Sequence, residues 1–390
     1  MNERYIALVD CDCFFVSCER KLNPELKGIP VSVVSGSNGC VISRSKEAKA
    51  MGVRMGEPMF MAKNEHPKCF YVPVHHDYYA KVSDMVMAVL KDFSPNVQIY
   101  SIDEAFVDLT GLCKLYKMNY RELAIYLRNK ILYETDIPVS IGVSRSKTLA
   151  KLASDKAKHE ESGIYTIGKS KIKSELSKTP IEEVWGIGRN LTKLFHKSGI
   201  ITCSELVKKS DAWLDKAIGI RGPEMKHELL GECVSPVTND IKLPKSIQQT
   251  KALAEFSTDK NYLKNDLNRH IHSACRKLRE IDCKTSSVTL FLRTKDFAIH
   301  TMKKKLDKPE DLEIVISREI FTLLDKLFNP NILYRSTGVI FEDFTENSKV
   351  QLGLFVDEKA QKNNRLAKAI DNIENKFGKN TIRTGFNDNK

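Results

Sequence analysis

Two short apolar segments that end at acidic residues constrain the fold of this chain more than any other feature. Residues 5–9 form an apolar run that ends at Asp10, and residues 97–109 hold two such runs on either side of Asp103 and Glu104. Apolar runs of this length predict buried strands, which places the acids at strand ends. Strands that share one sheet would bring these distant acids together.

These strands belong to a predicted mixed α/β unit at the start of the chain. Another apolar stretch, at residues 139–143, is followed by a segment in which Leu149 and Leu152 recur at helical spacing. Residues 24–76 are rich in Gly and Pro and indicate an inserted subdomain. The predicted fold class is therefore α/β.

A second α/β unit is predicted beyond a polar, proline-containing linker at residues 235–244. Residues 259–281 have a helical pattern, whereas residues 287–294 and 336–344 have the pattern of strands. The last segment, residues 345–390, is polar and lysine-rich, and we expect much of it to be flexible.

The charge balance predicts a polyanionic partner. The net charge is +12, and Lys and Arg side chains that neutralise phosphates release counter-ions. Nucleic acid is the first candidate, although ribosome-associated and membrane-surface proteins share such a charge. None of the apolar runs reaches the length of a membrane span, and the ten cysteines include no C-x-x-C pair. We therefore expect reduced thiols, a cytoplasmic location and no membrane partner.

Clustered carboxylates repel one another, so such a group persists where divalent cations neutralise it. Mg²⁺ suits oxygen ligands that leave room for water and substrate phosphates, and two such ions suit nucleotidyl transfer. A strand-end Asp or an exposed Asp-Glu pair is more often only a solvated surface group. The acids alone leave both interpretations open.

The segments around the acids resemble the two metal-binding motifs of the Y-family DNA polymerases. They are VDCDCFFVSCE at residues 9–19 and YSIDEAFVDLTG at residues 100–111, and GCVISRSKEAKAMGVRMGEPMF at residues 39–60 is most similar to the branch of UmuC, the catalytic subunit of bacterial polymerase V. The resemblance implies a right-hand polymerase with a palm (1–23 and 77–166), small fingers (24–76), a helical thumb with a helix-hairpin-helix (167–234), a linker (235–245), an α/β little finger (246–345) and a flexible tail (346–390).

The resemblance also implies low-fidelity, template-directed DNA synthesis past damaged bases, in a DNA-damage response. Asp10, Asp103, Glu104 and the backbone carbonyl of Cys11 would hold two Mg²⁺ ions, with Mn²⁺ as an alternative, and the substrates would be primer-template DNA and dNTP. Asp12 matches a position that is not a ligand in the family, so we expect it to be structural.

Two other functions compete with this interpretation, and only the first would use the same acids. A two-metal nuclease would not need nucleoside triphosphates. It would also not need Phe15 and Lys158, to which the resemblance assigns sugar selection and triphosphate binding. A non-catalytic DNA-binding repair factor, built on a degenerate polymerase, would have no reason to keep three mutually repelling acids.

The resemblance places Phe15 under the incoming sugar, where a bulky ring excludes a 2′-hydroxyl by overlap. We assign its neighbour Phe14 to the same nucleotide site. A plain core aromatic is the commoner role of a phenylalanine.

Basic residues of the predicted helix form one stripe. Lys147, Lys151 and Lys158 fall within about 40° of one another on a helix. Such a stripe is usually a solvated face, but the resemblance assigns Lys158 to the triphosphate.

Three basic residues of the predicted fingers are further candidates for the triphosphate. Lys46 and Lys49 stand where many family members have Tyr and Arg, and Arg44 is an alternative donor. Lysine lacks the planar fork of arginine, so the sequence leaves open which of the three binds phosphate.

The segment VWGIGRNLTKLF, at residues 184–195, predicts a helix-hairpin-helix that binds DNA phosphate through backbone N–H groups. A lone G-x-G is commonly only a turn, but the family carries such a thumb at this place. The expected contacts are Gly186, Gly188 and Arg189, with Gly219 and Gly222 in a second, weaker copy.

Two further contacts are expected beyond the thumb. Lys303, Lys304 and Lys305 could meet the DNA backbone, although a lysine run in a loop is more often only solubilising. The tail motif QLGLF resembles the bacterial sliding-clamp-binding peptide; packing back on the chain is the alternative. The expected clamp contacts, to its beta subunit, are Gln351, Leu352, Leu354 and Phe355. UmuD-like and recombinase partners are also implied as accessory proteins.

Overall fold

The structure is a computed structural model that describes residues 4–36, 39–239, 243–347, 358–378 and 381–382. It divides into two compact units, Met1–Asp240 and Ile241–Lys390. Within the described ranges, no helix is both long and apolar enough to cross a membrane.

The first unit contains two sheets and most of the helices. Its strands and α-helices are, in chain order, β1 (Ile6–Cys11), α1 (Phe14–Leu22), β2 (Val31–Val34), β3 (Val41–Arg44), α2 (Lys46–Ala50), α3 (Met59–Glu65), β4 (Phe70–Pro73), α4 (His76–Phe93), β5 (Val97–Ile99), β6 (Glu104–Asp108), α5 (Leu112–Tyr116), α6 (Tyr120–Thr135), β7 (Val139–Ser144), α7 (Lys147–Ala157), β8 (Ile164–Thr166), α8 (Ile172–Lys178), α9 (Arg189–Lys197), α10 (Cys203–Val207), α11 (Asp211–Ile218) and α12 (Arg221–Leu229).

Five strands form the large sheet, in the order β5-β6-β1-β7-β8. The middle strand, β1, pairs antiparallel with both β6 and β7. Successive side chains of a strand point to opposite faces, and both faces of β1 are buried. Ala7 and Val9 belong to one core cluster, whereas Ile6 and Leu8 pack with Ala150 of α7 in another. The strands predicted from the apolar runs are confirmed.

Helix α7 lies directly on β7, where the sequence predicts a helix. A side chain at Gly142 of β7 would place its Cβ 2.0 Å from the backbone nitrogen of Ser154 and 2.3 Å from the carbonyl oxygen of Ala150. A Cβ atom cannot come so close to backbone, so only glycine allows this approach. The contact brings α7 beside the acids of β1 and β6.

The small sheet has the strand order β3-β2-β4 and lies within the segment in which the sequence indicates a subdomain. Arg20 of α1 connects this segment to the rest of the unit. One of its guanidinium nitrogens donates to the carbonyl of Ile29 at 2.8 Å and to Glu47 of α2 at 2.9 Å. One side chain thus holds the chain just before β2 and helix α2 of the small-sheet segment.

The second unit is a four-stranded antiparallel sheet with two helices packed against it. Its elements are β9 (Ser246–Ser257), α13 (Lys260–Glu280), β10 (Cys283–Thr294), β11 (Ile299–Glu310), α14 (Glu313–Leu327), β12 (Tyr334–Glu346) and α15 (Glu358–Phe377), and the sheet order is β11-β10-β12-β9. Side chains of β10, β12, α13 and α14 share its core. The helix and strands predicted in this unit are confirmed.

The prediction of a loop at the lysine run is wrong, because Lys303, Lys304 and Lys305 lie inside β11. This is an outer strand of the sheet, so its polar side chains remain accessible. Lys303 pairs with Glu342 of β12 at 2.9 Å, and Lys304 pairs with Glu319 of α14. These two lysines have carboxylate partners within the unit and are not simply solvated.

Part of the tail that was predicted to be flexible is helix α15, held to α13 by charge. Arg279 of α13 contacts both carboxylate oxygens of Asp371, at 2.6 and 2.8 Å. His272 contacts Glu374 at 3.1 Å. Hydrogen bonding to Glu313 is the main reason that the pKa of His272 is raised to about 9, and Glu374 adds to the effect. Polar contacts therefore order a segment whose composition favours disorder.

Candidate active site

Asp10 and Glu104 face each other across two neighbouring strands. Asp10 lies near the end of β1 and is the register partner of Glu104, the first residue of β6. On its other side, Asp10 pairs with Ser140 of β7. Directly opposite residues of an antiparallel pair have Cβ atoms about 4.5–5.5 Å apart on the same face of the sheet. The sheet therefore brings two of the three predicted acids together.

Asp103 lies in the turn before β6, on backbone that Ser101 holds. The hydroxyl oxygen of Ser101 accepts hydrogen bonds from the N–H groups of Asp103 at 3.2 Å and Glu104 at 3.1 Å, and it also contacts the Asp103 carboxylate. The carbonyl of Asp103 accepts a hydrogen bond from the N–H of Cys11 at 2.8 Å. The Ser101 contacts thus order the turn itself, and the hydrogen bond from Cys11 attaches it to the end of β1.

Neighbouring groups of the same strand end differ in what they can offer a cation. Burial raises the pKa of the Cys11 thiol well above its ordinary value, so this side chain stays neutral and only its carbonyl oxygen is suited to a hard cation. Asp12 accepts a hydrogen bond from Ser140 at 2.7 Å. This contact supports a structural role for Asp12.

Two lysines neutralise the acids. Lys151 Nζ lies 2.7 Å from Glu104 Oε2, and Lys158 Nζ, directly after α7, lies 2.8 Å from Asp10 Oδ2. Burial is the main reason that the pKa of Asp10 is raised to about 6; Lys158 opposes this rise, and the charges of Asp103 and Glu104 add to it. Asp10 is therefore a partly buried carboxylate that is stabilised by a cation beside it.

Lys147, the third member of the predicted stripe, has a different environment. It is only 3% exposed, and its Nζ donates to the carbonyl of Pro236 at 2.9 Å and to the hydroxyl of Ser235 at 3.3 Å. Its ammonium also lies 5.4 Å from the centroid of the Phe106 ring. The stripe is thus not a solvated face: one lysine holds the chain itself and two hold acids.

The chemistry of these groups fits divalent metal ions. The candidate ligands all offer oxygen atoms, and two ammonium groups supply positive charge to the acids among them. In the described part of the chain, no group of three or more His, Cys, Asp or Glu side chains is arranged to hold a metal ion. Asp10 and Glu104 are each paired with a lysine.

Phe15 lies close to this strand end because the chain turns sharply after β1. Cys13, between β1 and α1, has a φ of 47°, a left-handed conformation that reverses the chain direction. Phe15 is half-buried, and its ring stacks on Tyr79 of α4 with centroids 4.7 Å apart. Phe14 is only 3% exposed, within the core, which leaves little of its ring for a nucleotide.

The three basic residues of the small-sheet segment differ in their freedom. Arg44 ends β3, and its guanidinium donates to the carbonyl of Val53, so it is held within the segment. Lys46 and Lys49 are exposed on α2, a short helix capped by Ser45. Among these three, the two lysines are the ones accessible to a ligand in solution.

The predicted hairpin before α9 has the features of a phosphate site. Gly186 has a φ of 92°, and Gly188 is the N-cap of α9 without a side-chain hydrogen bond to the helix. The first N–H groups of a helix have no partner inside it, and Arg189 beside them is exposed. Backbone donors and a cation therefore lie together at this helix start.

The GIRG segment does not repeat this arrangement. Gly219 ends α11, and Gly222 lies inside α12. A Cβ at Gly222 would lie 2.6 Å from the carbonyl oxygen of Leu214, so this glycine allows α11 and α12 to pack closely. DNA binding by Gly219 and Gly222 stays a prediction.

Several residues near the site were not assigned a role from the sequence. The sequence predicts Lys151 only as part of a basic stripe. Its spacing of seven residues from Lys158 is the signal that both lysines reach the acids of the site. Trp185 donates from its indole N–H to the hydroxyl of Tyr100 at 3.1 Å, which ties the hairpin to the turn that carries Asp103. The sequence gives no local signal for this pair.

The predicted clamp motif lies outside the described residues.

Comparison with known proteins finds sequence relatives along most of the chain. Residues 9–155 match the sequence model of the impB/mucB/samB family, and residues 244–354 match that of the C-terminal domain of the same family. Protein ImpB of Salmonella typhimurium is 31% identical, over 96% of this chain and 91% of the relative. Protein UmuC of Salmonella typhimurium strain LT2 is 31% identical over 96% and 92%. A DNA polymerase IV of Halalkalibacterium halodurans is 32% identical over 98% and 93%.

Solved structures have the same fold. A Y-family DNA polymerase chimera built on Dbh is 25% identical and has a TM-score of 0.74, covering 88% of this chain and 100% of the chimera. The insertion ternary complex of Dbh DNA polymerase is also 25% identical, with a TM-score of 0.60 over the same shares. The predicted right-hand polymerase fold is confirmed.

Proposed function

The chain belongs to the impB/mucB/samB family of Y-family DNA polymerases, and we propose that Asp10, Asp103 and Glu104 are the centre at which it adds nucleotides to a primer. It is a template-directed DNA polymerase of the low-fidelity, translesion kind. Its reaction transfers a nucleotide from a dNTP to the 3′-OH of a primer in primer-template DNA and releases pyrophosphate.

One observation carries the assignment of the centre. Asp10 and Glu104 are register partners on two central strands, and each has a lysine ammonium within 2.8 Å. Like charges held in register are unfavourable unless cations lie between them. Acids held together in this way could hold metal ions once the lysines release them, and the released ammonium groups could meet the triphosphate.

Enzymes of this family use divalent metal ions, and we propose Mg²⁺ at Asp10, Asp103, Glu104 and the carbonyl of Cys11, with Mn²⁺ as an alternative. Two ions bound there would lower the pKa of the primer hydroxyl and neutralise charge on the transferring phosphate. The chain's own contribution is to hold the acids in register and to supply Lys158, which can leave Asp10 for the triphosphate.

The other proposed roles follow the geometry of the described residues. The ring of Phe15 limits the sugar, and exposed Lys46 and Lys49 are better placed than Arg44 to meet the triphosphate. The hairpin with Gly188 would hold a DNA phosphate through backbone N–H groups. In the terms of the family, we propose that the large sheet is the palm, the small sheet the fingers, the helices α8–α12 the thumb and the second unit the little finger.

Primer extension tests the proposed function directly. We expect the wild-type chain, with Mg²⁺ and four dNTPs, to extend a primer on an undamaged template and to insert a nucleotide opposite an abasic site more slowly. The abasic template removes base pairing, so insertion there separates a translesion enzyme from a replicative one. Shortening of the primer without extension would instead support the nuclease alternative, and binding without either reaction would support the non-catalytic one.

We also propose that the QLGLF motif binds a bacterial sliding clamp, with UmuD-like and recombinase proteins as further partners. Replacing Leu354 and Phe355 with alanine should reduce retention of the full chain on immobilised clamp beta subunit by more than about tenfold, since buried apolar anchors dominate such interfaces. Lys359→Ala, a nearby change outside the motif, is the matched control. Retention of the double variant at the wild-type level would refute the proposal.

A further inference from the structure

Phe15 rests on a ring that is itself fixed at several points. The Phe15 and Tyr79 rings are nearly parallel, with an interplanar angle of 18° and centroids 4.7 Å apart. His76 of the same helix meets the Phe15 ring edge-on, at 6.2 Å. Tyr79 is fully buried, so it forms a solid platform under the half-buried Phe15.

The hydroxyl of Tyr79 is held by a buried acid. It donates a hydrogen bond to Oε1 of Glu19, and Nδ1 of His75 lies 2.7 Å from the same oxygen. Glu19 is only 4% exposed. An acid buried this deeply is expensive unless its oxygens are paired, so its contacts define where the Tyr79 ring can lie.

The geometry couples this acid to Phe15 along one helix. Glu19 follows Phe15 by four residues on α1, and residues at this spacing lie on the same face of a helix. Phe15 and Glu19 therefore both reach Tyr79 from α1, one by stacking and the other by a hydrogen bond. None of Glu19, Tyr79 and His75 contacts the acids Asp10, Asp103 or Glu104 through any bond that the described structure contains.

We propose that Glu19 and Tyr79 are positioning residues for sugar selection: they set the height of the Phe15 ring and thereby the exclusion of ribonucleotides. The inference rests on the proposed role of Phe15. Exclusion by overlap depends steeply on distance, because atomic repulsion falls off faster than the attraction between packed atoms, which itself changes substantially over about 0.5–1 Å. A ring that can sink by that amount would admit a 2′-hydroxyl.

This mechanism differs from a merely structural role in what each variant should do. Tyr79→Phe keeps the stacked ring and removes only the hydroxyl. Glu19→Met keeps the volume and removes the acceptor, whereas Glu19→Gln retains an oxygen that can accept from Tyr79. A structural role would lower the reaction with dNTP and rNTP alike; a positioning role changes the ratio between them.

The test measures kcat/KM for a dNTP and the matching rNTP in the full-length protein. We expect Tyr79→Phe and Glu19→Met each to lower the preference for the dNTP on the order of tenfold, the value of one buried hydrogen bond to a charged group. Glu19→Gln should recover much of the preference lost in Glu19→Met. Tyr133→Phe, at a tyrosine that is 91% exposed, is the control and should leave the ratio as it is.

A combination with Phe15→Ala separates the role of Tyr79 from the role of Phe15 itself. Without the Phe15 ring the platform has nothing to support, so Tyr79→Phe should not change the ratio further in that background. An additional loss there, or an unchanged ratio in Tyr79→Phe alone, would overturn the inference while leaving Phe15 in its role. An unchanged ratio in Phe15→Ala alone would overturn both. Because Tyr79→Phe is the smallest change, it decides the matter even if Glu19→Met does not fold.

Discussion

Replacing Asp103 and Glu104 with alanine is expected to lower kcat/KM for primer extension by at least about a thousandfold, the scale on which loss of transition-state charge stabilisation acts. The double variant removes two of the three acids among the proposed metal ligands and leaves Lys151 without its carboxylate partner. Neither the primer hydroxyl nor the transferring phosphate would then meet its cation. Single-turnover extension with Mg²⁺, over a range of dNTP concentrations, measures kcat/KM together with the rate of the chemical step.

Asp12→Asn is the matched control for this loss. Asp12 lies close to Asp10 in the sequence, but its carboxylate accepts a hydrogen bond from Ser140, and an asparagine oxygen can do the same. We expect this variant to retain most of the activity, and thermal unfolding should show that both variants are folded. Equal activity of the double variant and the wild type would refute the mechanism, and a loss in Asp12→Asn as large as in the double variant would refute the choice of ligands.

Phe15→Ala is expected to raise the use of ribonucleotides relative to deoxynucleotides by about a hundredfold, the scale on which a pocket rejects a substrate by shape. The ring is half-buried and stacked on Tyr79, so its loss opens space where a 2′-hydroxyl would otherwise clash. The measurement is the ratio of kcat/KM for a dNTP and its rNTP on the same undamaged template.

Phe14→Leu distinguishes this effect from a general disturbance of α1. Phe14 is buried in the core, next to Phe15 in sequence, so its replacement should lower stability without changing the choice of sugar. Unchanged selectivity in Phe15→Ala would remove Phe15 from its proposed role. If Phe14→Leu raised ribonucleotide use as much as Phe15→Ala, sugar selectivity would depend on the position of helix α1 as a whole and not on the Phe15 ring.

The sequence predicted the strands that carry the acids, but not how the strands pair. Apolar runs and strand ends are local signals, so the positions of β1, β6 and β7 followed from them. The register that sets Asp10 opposite Glu104 is a contact between residues far apart in the chain. A slip of one residue would turn one acid to the opposite face of the sheet, and no local pattern decides this.

The sequence predictions were wrong for two elements with many polar side chains, strand β11 and helix α15. β11 carries three consecutive lysines and lies at the outside of its sheet, so it lacks the apolar alternation by which a strand is recognised. Helix α15 is held by ion pairs such as Arg279 with Asp371, and its polar composition resembles that of a flexible tail. In both cases, tertiary contacts decided the structure.

The platform beneath Phe15 could not have been found from the sequence. Tyr79 and His75 lie at the start of α4, about sixty residues after Glu19, and each is an ordinary residue for a helix start. Only their shared oxygen reveals the connection. The resemblance identified Phe15 because its motif is local, whereas its support is assembled by the fold.

The pairing of Lys151 with Glu104 and of Lys158 with Asp10 bears on the chain's condition between synthesis and first use. Proteins whose ligands are gathered only by their metal remain unfolded without it. Here the ammonium groups belong to the polypeptide itself. The newly synthesised chain can therefore fold with its acids close together before it binds a metal ion. Removal of the metal ion by a chelator should therefore abolish activity without unfolding the protein. When the ion is added back, it should replace the lysines as the partner of the acids, with no refolding.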